Sequence, residues 1–524
     1  MYIRAMKKTF LSLILFLTLA GFIDSIYLTW EHFNNVLPPC SVNNLFPILS
    51  DCGKVLKSPY SVIFGIPLAV IGVIHYGLLT LAVLGVIIYK KRVFSYWVII
   101  QSIFGALASL YFMYIQFAII RSLCLYCTLS SLISFTILVL VYIFLKKERF
   151  QLHTSLYAFI YQNFVKRIFF LLDPEFIHGI MIKRGAFLAK TPLIKFVGSK
   201  LIYKDNSLKQ KLAGINFENP IGLAAGFDYN ADLTQALYYL DFGFQSVGTI
   251  TNGAYRGNPK PLLGRLPRSK SLMVNKGFKN KGARAISEKL GNLHFLIPVG
   301  VSIGVTNSQE IKSLEEAVKD IVISFKTFEK ARVKNSYYEL NISCPNLVNA
   351  KKFNFYPQKN LDLLLAALDK MKLKKPIFIK MPIEKTNQEV VKMLDVIVKH
   401  KSIKGVIFGN LQKNRKDPSL LQSEVKKFKV GFFSGKPCEK RSNELIKLAY
   451  KKFGEKLVII GCGGIFNAED AYKKIKLGAS LVQLITGMIF QGPQLISQIN
   501  LELIDLAKRD GFKNIKEAVG IDSR

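Results

Sequence analysis

From Phe10 to Phe144 the chain is almost wholly apolar, and four stretches there reach the roughly 20 residues that cross a bilayer as a helix. They are Phe10–Trp30, Ser61–Tyr89, Val93–Ile120 and Leu123–Phe144. Beyond about Leu212 the pattern changes, and short apolar runs alternate with polar segments of helix length. The runs cover residues 219–227, 244–251, 297–304, 337–343, 376–382, 404–410, 457–464 and 480–487. Eight strands, each followed by a helical segment, predict a (β/α)8 TIM barrel, with glycine and polar residues gathered at the strand ends that carry chemistry. A doubly wound sheet is the alternative, but no G-x-G-x-x-G opens the first helix.

Between the two patterns, residues 151–205 carry apolar residues at helical spacing with Lys and Arg between them. That reads as an amphipathic helical extension lying in a membrane interface, with burial against the next domain as the other reading. The predicted organisation is a four-helix transmembrane domain (1–150), the extension (151–205) and the barrel (206–524).

Charge orients this arrangement. Lys7 and Lys8 precede the first span, Lys90, Lys91 and Arg92 separate the second from the third, and Lys146, Lys147 and Arg149 follow the fourth. All three clusters are cytoplasmic by the positive-inside rule, which puts the Glu31–Tyr60 loop and the Arg121–Ser122 turn outside. A cleavable signal peptide in residues 1–25 is the competing reading, but cleavage would leave three spans and disturb the charge alternation. The net charge of +37 comes with no nucleic-acid motif, so a lipid bilayer with anionic headgroups, not nucleic acid, is the expected partner.

Seven cysteines occur in 524 residues, and the first four, Cys40, Cys52, Cys124 and Cys127, fall within the first 127. Two pairs at a membrane face suit thiol–disulfide exchange, in which one dithiol meets a partner and another passes electrons onward. C-L-Y-C at a helix start favours a thiolate. A structural Cys40–Cys52 disulfide beside inert Cys124 and Cys127 is the competing reading. No metal site is predicted.

The run C-G-K-V-L-K-S-P-Y-S-V-I-F-G-I-P-L-A-V-I-G (52–72) followed by C-L-Y-C resembles the bacterial vitamin K epoxide reductase family over about residues 9–147. The resemblance implies that Cys124 and Cys127 pass electrons to a membrane quinone. It also implies that Cys40 and Cys52 shuttle electrons from an external thioredoxin-like thiol oxidoreductase, and that Ser58 matches the serine of the loop motif. The implied location is the bacterial inner membrane, multi-pass, with the barrel on the cytoplasmic side and the loop cysteines outside.

The later motifs are D-P-E-F-I-H (173–178), N-P-I-G-L-A-A-G-F-D (219–228), G-N-P-K-P-L-L-G-R-L-P (257–267) and N-I-S-C-P-N (341–346). With S-G-K-P (434–437), I-I-G-C-G-G-I (459–465) and G-A-S-L-V-Q-L (478–484) they resemble the membrane-bound, quinone-using class of dihydroorotate dehydrogenase over about residues 165–524. The resemblance implies oxidation of dihydroorotate to orotate through FMN, with quinone as acceptor, in pyrimidine biosynthesis. It implies FMN contacts from Ala225, Gly226, Thr249, Asn341, Lys380, Ser434, Gly435, Gly463, Gly464, Thr486 and Gly487. Substrate contacts fall on Asn275, Asn346 and Asn410, the general base on Cys344, and the quinone tunnel on His178 and Arg265. The residue types suit these roles: glycine-rich turns after strands seven and eight bind phosphate through backbone N–H groups, and a lysine can neutralise charge on a reduced flavin. A thiol also ionises more readily than a hydroxyl.

Four departures stand out. Tyr229 occupies the place of a substrate-binding lysine, Ser302 and Val305 alter the G-V-N-x-G-K run, the Asn275 segment is one residue short, and Leu411 replaces a threonine. A divergent flavin enzyme with another substrate, or a barrel serving only as a scaffold, are the alternatives that these departures raise.

Overall fold

A computed structural model describes residues 2–36, 38, 52–89, 91–348 and 354–524. It separates into two compact units, Met1–His153 and Thr154–Arg524. Cys40, Lys90 and about half of the predicted external loop (37 and 39–51) lie outside the described residues.

In the first unit, four helices are long and apolar enough to cross a membrane: Thr9–Asn34, Leu68–Tyr89, Arg92–Ile120 and Leu125–Phe144. Their outer faces carry exposed Phe16, Ile23, Leu81, Phe104, Leu107 and Leu132, which suits contact with lipid hydrocarbon. Inward, small residues let the helices close. A Cβ on Gly21 would stand 2.4 Å from the Tyr76 ring, so glycine there lets the first helix rest on that aromatic. Tyr76 is held by hydrogen bonds to the Ser130 carbonyl (2.9 Å) and the Ser134 hydroxyl (2.9 Å) of the fourth helix. His75 Nδ1 lies 3.0 Å from Gln101 Oε1 of the third. Such interhelical polar contacts are worth about 0.6–2 kcal/mol each in a membrane.

The second span starts later than the hydrophobic run predicts. Residues 62–67 are a small hairpin, Val62–Ile63 paired with Ile66–Pro67. Its turn residues Phe64 and Gly65 have φ of 50° and 80°, and the Phe64 side chain is fully exposed. Gly65 takes the left-handed conformation without strain and Pro67 cannot donate within a helix, so the helix begins only at Leu68. Cys124 caps the fourth helix: its sulfur accepts from the Cys127 N–H at 3.5 Å.

The second unit opens within a helical run, Lys146–Ile160 continued through Tyr161–Val165 into Lys166–Leu171, and goes on with helices at Pro174–Leu188 and Pro192–Ser199. The Pro174–Leu188 helix is capped by Asp173, which accepts from Phe176 N–H at 2.8 Å with Pro174 at the first turn, a favourable start. Phe176, Phe187, Leu193 and Phe196 are exposed on this segment and give it an apolar surface.

The barrel strands are β1 (Ile221–Leu223), β2 (Phe244–Ile250), β3 (Val299–Ile303), β4 (Tyr337–Asn341), β5 (Ile377–Met381), β6 (Ile403–Phe408), β7 (Val458–Cys462) and β8 (Leu481–Leu484). They close in chain order with every pair parallel. All eight predicted strands are present, and the TIM barrel replaces the doubly wound alternative.

Two additions escape the hydrophobic pattern. A hairpin, Gln210–Leu212 with Ile215–Phe217, precedes β1. A three-stranded antiparallel sheet joins Leu263–Leu266, Ser271–Val274 and Phe432–Phe433. Phe217 packs with Phe244, Tyr337 and Phe378 at the strands' amino ends, all at most 2% exposed, and this apolar layer seals the barrel floor. Above it the interior is polar. Gln483 donates to Ser246 (3.0 Å), Ser302 to Glu339 (3.0 Å), and Asn341 to Thr249 (2.8 Å), so the carboxyl ends of the strands are built for polar ligands.

Candidate functional site

Two adjoining cavities open over the carboxyl ends of the strands. One is bordered by Ala225, Lys380, Ser434, Gly435, Gly463, Gly464, Thr486 and Gly487. The other is bordered by His178, Gly226, Tyr229, Thr249, Lys276, Asn341, Cys344, Asn346 and Asn410, and it shares Ala225, Lys380 and Thr486 with the first. All eleven residues expected to hold the flavin therefore surround one connected space.

Its far end is a glycine cradle. Gly463 and Gly464 have φ of 95° and 74°, in the left-handed region that favours glycine. A Cβ on Gly464 would stand 2.3 Å from Glu439 Cβ, and one on Gly487 would stand 1.9 Å from the Ile465 carbonyl oxygen. Bare backbone is thus required here, and Ser434 and Thr486 meet across it at 2.8 Å. Lys380, 4% exposed, rises from β5 with its ammonium 3.8 Å from Glu339.

The polar wall of the second cavity is preorganised. Asn341 also accepts from the Ser343 N–H and hydroxyl. Asn410 donates to the Ser343 carbonyl at 3.0 Å, and Asn346 to the Val274 carbonyl at 3.1 Å. Cys344 stands among these amides. Burial pushes its thiol up to about 12, against the pull of the Asn346 N–H and the Lys413 and Lys380 charges. A thiol in water ionises readily, and in the protein burial works against that.

Asn275 and Arg265 do not border either cavity. The Asn275 amide donates to the Pro259 and Pro261 carbonyls and accepts from Asn258, so it fixes the loop that precedes the three-stranded sheet. Arg265 donates to the Leu172 carbonyl at 2.6 Å and lies over the Phe170 ring, tying that sheet to the helical extension. His178 does reach the cavity. Its Nε2 lies 2.9 Å from the Phe227 carbonyl, which only accepts, so that nitrogen carries the proton and Nδ1 is free to accept from Lys276 Nζ at 3.4 Å. Burial, first, and the Lys276 charge bring the ring down to about 4, so it is neutral at physiological pH. Lys276 and Glu175, paired at 3.2 Å, were not singled out by sequence.

A separate cavity of about 320 Å³ lies within the helical unit, bordered by Asp24, Ser58, His75, Tyr76, Gln116, Cys127 and Ser131 among others. Cys127 faces it. Cys124 is fully buried and packs against Cys52 and Val55, and its N–H donates to Gln116 Oε1 at 3.0 Å. Cys124 and Cys127 are free thiols, and Cys52 is disulfide-bonded. Asp24 is a polar border of this cavity that hydropathy alone hides inside an apolar run.

Comparisons with known proteins agree with both halves. The family model for dihydroorotate dehydrogenase matches residues 207–506, and that for the vitamin K epoxide reductase family matches residues 12–142. The dihydroorotate dehydrogenase (quinone) of Trichodesmium erythraeum is 34% identical over 371 residues, covering 67% of this chain and 95% of its own length. That of Christiangramia forsetii is 36% identical over 350 residues, covering 66% and 99%. The crystal structure of the Eimeria tenella dihydroorotate dehydrogenase in complex with ferulenol superposes with a TM-score of 0.58. It is 27% identical and covers 67% of this chain and 96% of that one.

Proposed function

Because this chain belongs to the dihydroorotate dehydrogenase family and carries a vitamin K epoxide reductase family domain ahead of it, we propose that it is a bifunctional membrane oxidoreductase. The barrel oxidises dihydroorotate to orotate and delivers the electrons to quinone. The helical domain oxidises an external dithiol and delivers its electrons to quinone as well. The observation that carries the first activity is the convergence of the glycine cradle, Lys380, Cys344 and three asparagines on one connected cavity.

FMN fits that cavity by its donors: a side-chain-free turn for the phosphate, and a buried ammonium and amides for the ring. When bound it supplies the two-electron acceptor for the substrate hydride. The chain's own work is to orient the pyrimidine with Asn341, Asn346 and Asn410 and to take the C5 proton on Cys344. His178, neutral and facing the cavity, borders the route by which quinone approaches. Anaerobic titration of the purified full-length protein tests this: dihydroorotate is expected to bleach a bound flavin stoichiometrically, and an unbleached flavin refutes it. Gly464→Ala is expected to yield protein with less than about a tenth of the wild-type flavin, because the added methyl meets Glu439 and strains a left-handed backbone. Normal flavin content in that variant removes the cradle from the site.

For the helical domain, supporting geometry comes from the order Cys52, Cys124, Cys127, cavity. A Cys124–Cys127 dithiol that reduces quinone becomes a disulfide, and its two electrons and two protons leave on the quinol. Reduced loop cysteines restore it by exchange at Cys124, and an external thioredoxin-like protein in turn reduces the loop disulfide and becomes oxidised. Charge alternation supports the corresponding placement, with the barrel on the cytoplasmic side of the bacterial inner membrane and the loop cysteines outside. Detergent-solubilised protein is expected to reduce quinone with dihydroorotate and, in a separate assay, with a dithiol.

A further inference from the structure

Three ammonium groups border the upper cavity, those of Lys276, Lys279 and Lys380, and their surroundings differ. Lys380 already has the Glu339 carboxylate beneath it. Lys279 and Lys276 share one partner, Glu175, at 2.9 and 3.2 Å. Two cations on one carboxylate leave an excess positive charge. Lys279 is the more solvated of the two, with 29% of its side chain exposed against 9% for Lys276. The other groups against Lys276 are the neutral His178 and the face of the Tyr229 ring, 4.7 Å from the ammonium. The nearby Asp228 carboxylate is turned away and accepts from the Asp232 and Leu233 N–H groups at 2.7 and 2.9 Å. Burial pulls Lys276 down to about 8 while Glu175 holds it up, so at pH 7 it remains largely a cation.

A nearly buried, half-compensated ammonium at the wall of an open cavity is a site for an anion, because only an entering negative charge completes its pairing. The wall beside it carries Asn346, Asn341 and Cys344, donors and a base suited to a pyrimidine ring. We propose that Lys276 binds the carboxylate of the substrate, with Tyr229 as the aromatic platform that holds the ammonium in place. The inference rests on the dihydroorotate reading and adds to it the residue that selects pyrimidine carboxylates over neutral pyrimidines. It also accounts for Tyr229: the positive charge expected on residue 229 reaches the same cavity from residue 276, across the tyrosine ring.

The test uses full-length, flavin-loaded protein and reads orotate binding from the change in flavin absorbance, without turnover. Lys276→Met and Lys276→Gln are each expected to weaken orotate by about 30- to 100-fold, the loss of one charge-assisted contact, with flavin content unchanged. Lys276→Arg is expected to stay within about fivefold. Adding Tyr229→Lys to Lys276→Met is expected to recover at least about tenfold of the lost affinity, which a merely structural role for Lys276 would not predict. Orotate binding within about threefold of wild type in both neutral variants overturns the inference and leaves the dihydroorotate reading standing. No orotate effect on the wild-type flavin overturns that reading, and the inference with it.

Discussion

Cys344→Ala is expected to slow reduction of the bound flavin by dihydroorotate by about 10²- to 10⁴-fold, the usual worth of a positioned general base. Orotate binding should change little, because the amides of Asn341, Asn346 and Asn410 hold the ring. The pH dependence is the sharper signature. A base acts only when deprotonated, and burial has pushed the Cys344 thiol up to about 12. Its thiolate fraction therefore rises about tenfold with each pH unit throughout the neutral and mildly alkaline range. In anaerobic stopped-flow measurements the reduction rate should climb steadily from pH 7 to beyond pH 9, where an unburied thiol would already be levelling. A plateau below pH 8, or an alanine variant within tenfold of wild type, would remove Cys344 as the base.

Cys127→Ser is expected to bring dithiol-driven quinone reduction to background while leaving dihydroorotate-driven reduction intact. Two sulfurs are needed because the electrons leave as an S–S bond, and a lone thiol cannot close one within C-L-Y-C. The packing of Cys124 against Cys52 adds a second readout. With Cys127 gone, Cys124 can exchange only with the loop, and the Cys52–Cys124 mixed disulfide should accumulate as a species resolved by non-reducing peptide mapping. Cys124→Ser should lose the same activity without forming that species. Equal dithiol activity in wild type and Cys127→Ser would overturn the electron path.

Period and spacing made the barrel legible: each apolar run of seven to nine residues found a strand, because strands buried on both faces cannot alternate with polar residues. The same rule failed at Ser61–Pro67. A continuous apolar stretch does not reveal that Phe64 and Gly65 turn the chain, and helix and hairpin look alike to hydropathy there. The strands at 263–266, 271–274 and 432–433 were hidden for another reason: they are only two to four residues long, and the last pairs with the second across about 160 residues of sequence, which leaves no local period. In the site, the residues that the motifs assign to strand ends do border the two cavities. Asn275 and Arg265 do not: the Asn275 segment is one residue short and its amide is taken up by the Pro259 and Pro261 carbonyls, while Arg265, on the 263–266 strand, is taken up by the Leu172 carbonyl. Lys276 lies in that same shortened loop, and only three dimensions bring it over Tyr229. The Cys344 environment was equally out of reach, since a pKa belongs to the packing around a group and not to its letter.

The layer of Phe217, Phe244, Tyr337 and Phe378 at the barrel floor governs traffic as well as packing. Nothing bound above that layer can leave through it, so the ligands of the proposed site would all exchange at the rim where the strands end. An oxidised pyrimidine that lingers there obstructs the next arrival. Exchange at that rim, more than the chemistry beneath it, is then what an excess of orotate would throttle, and product inhibition should grow as turnover quickens.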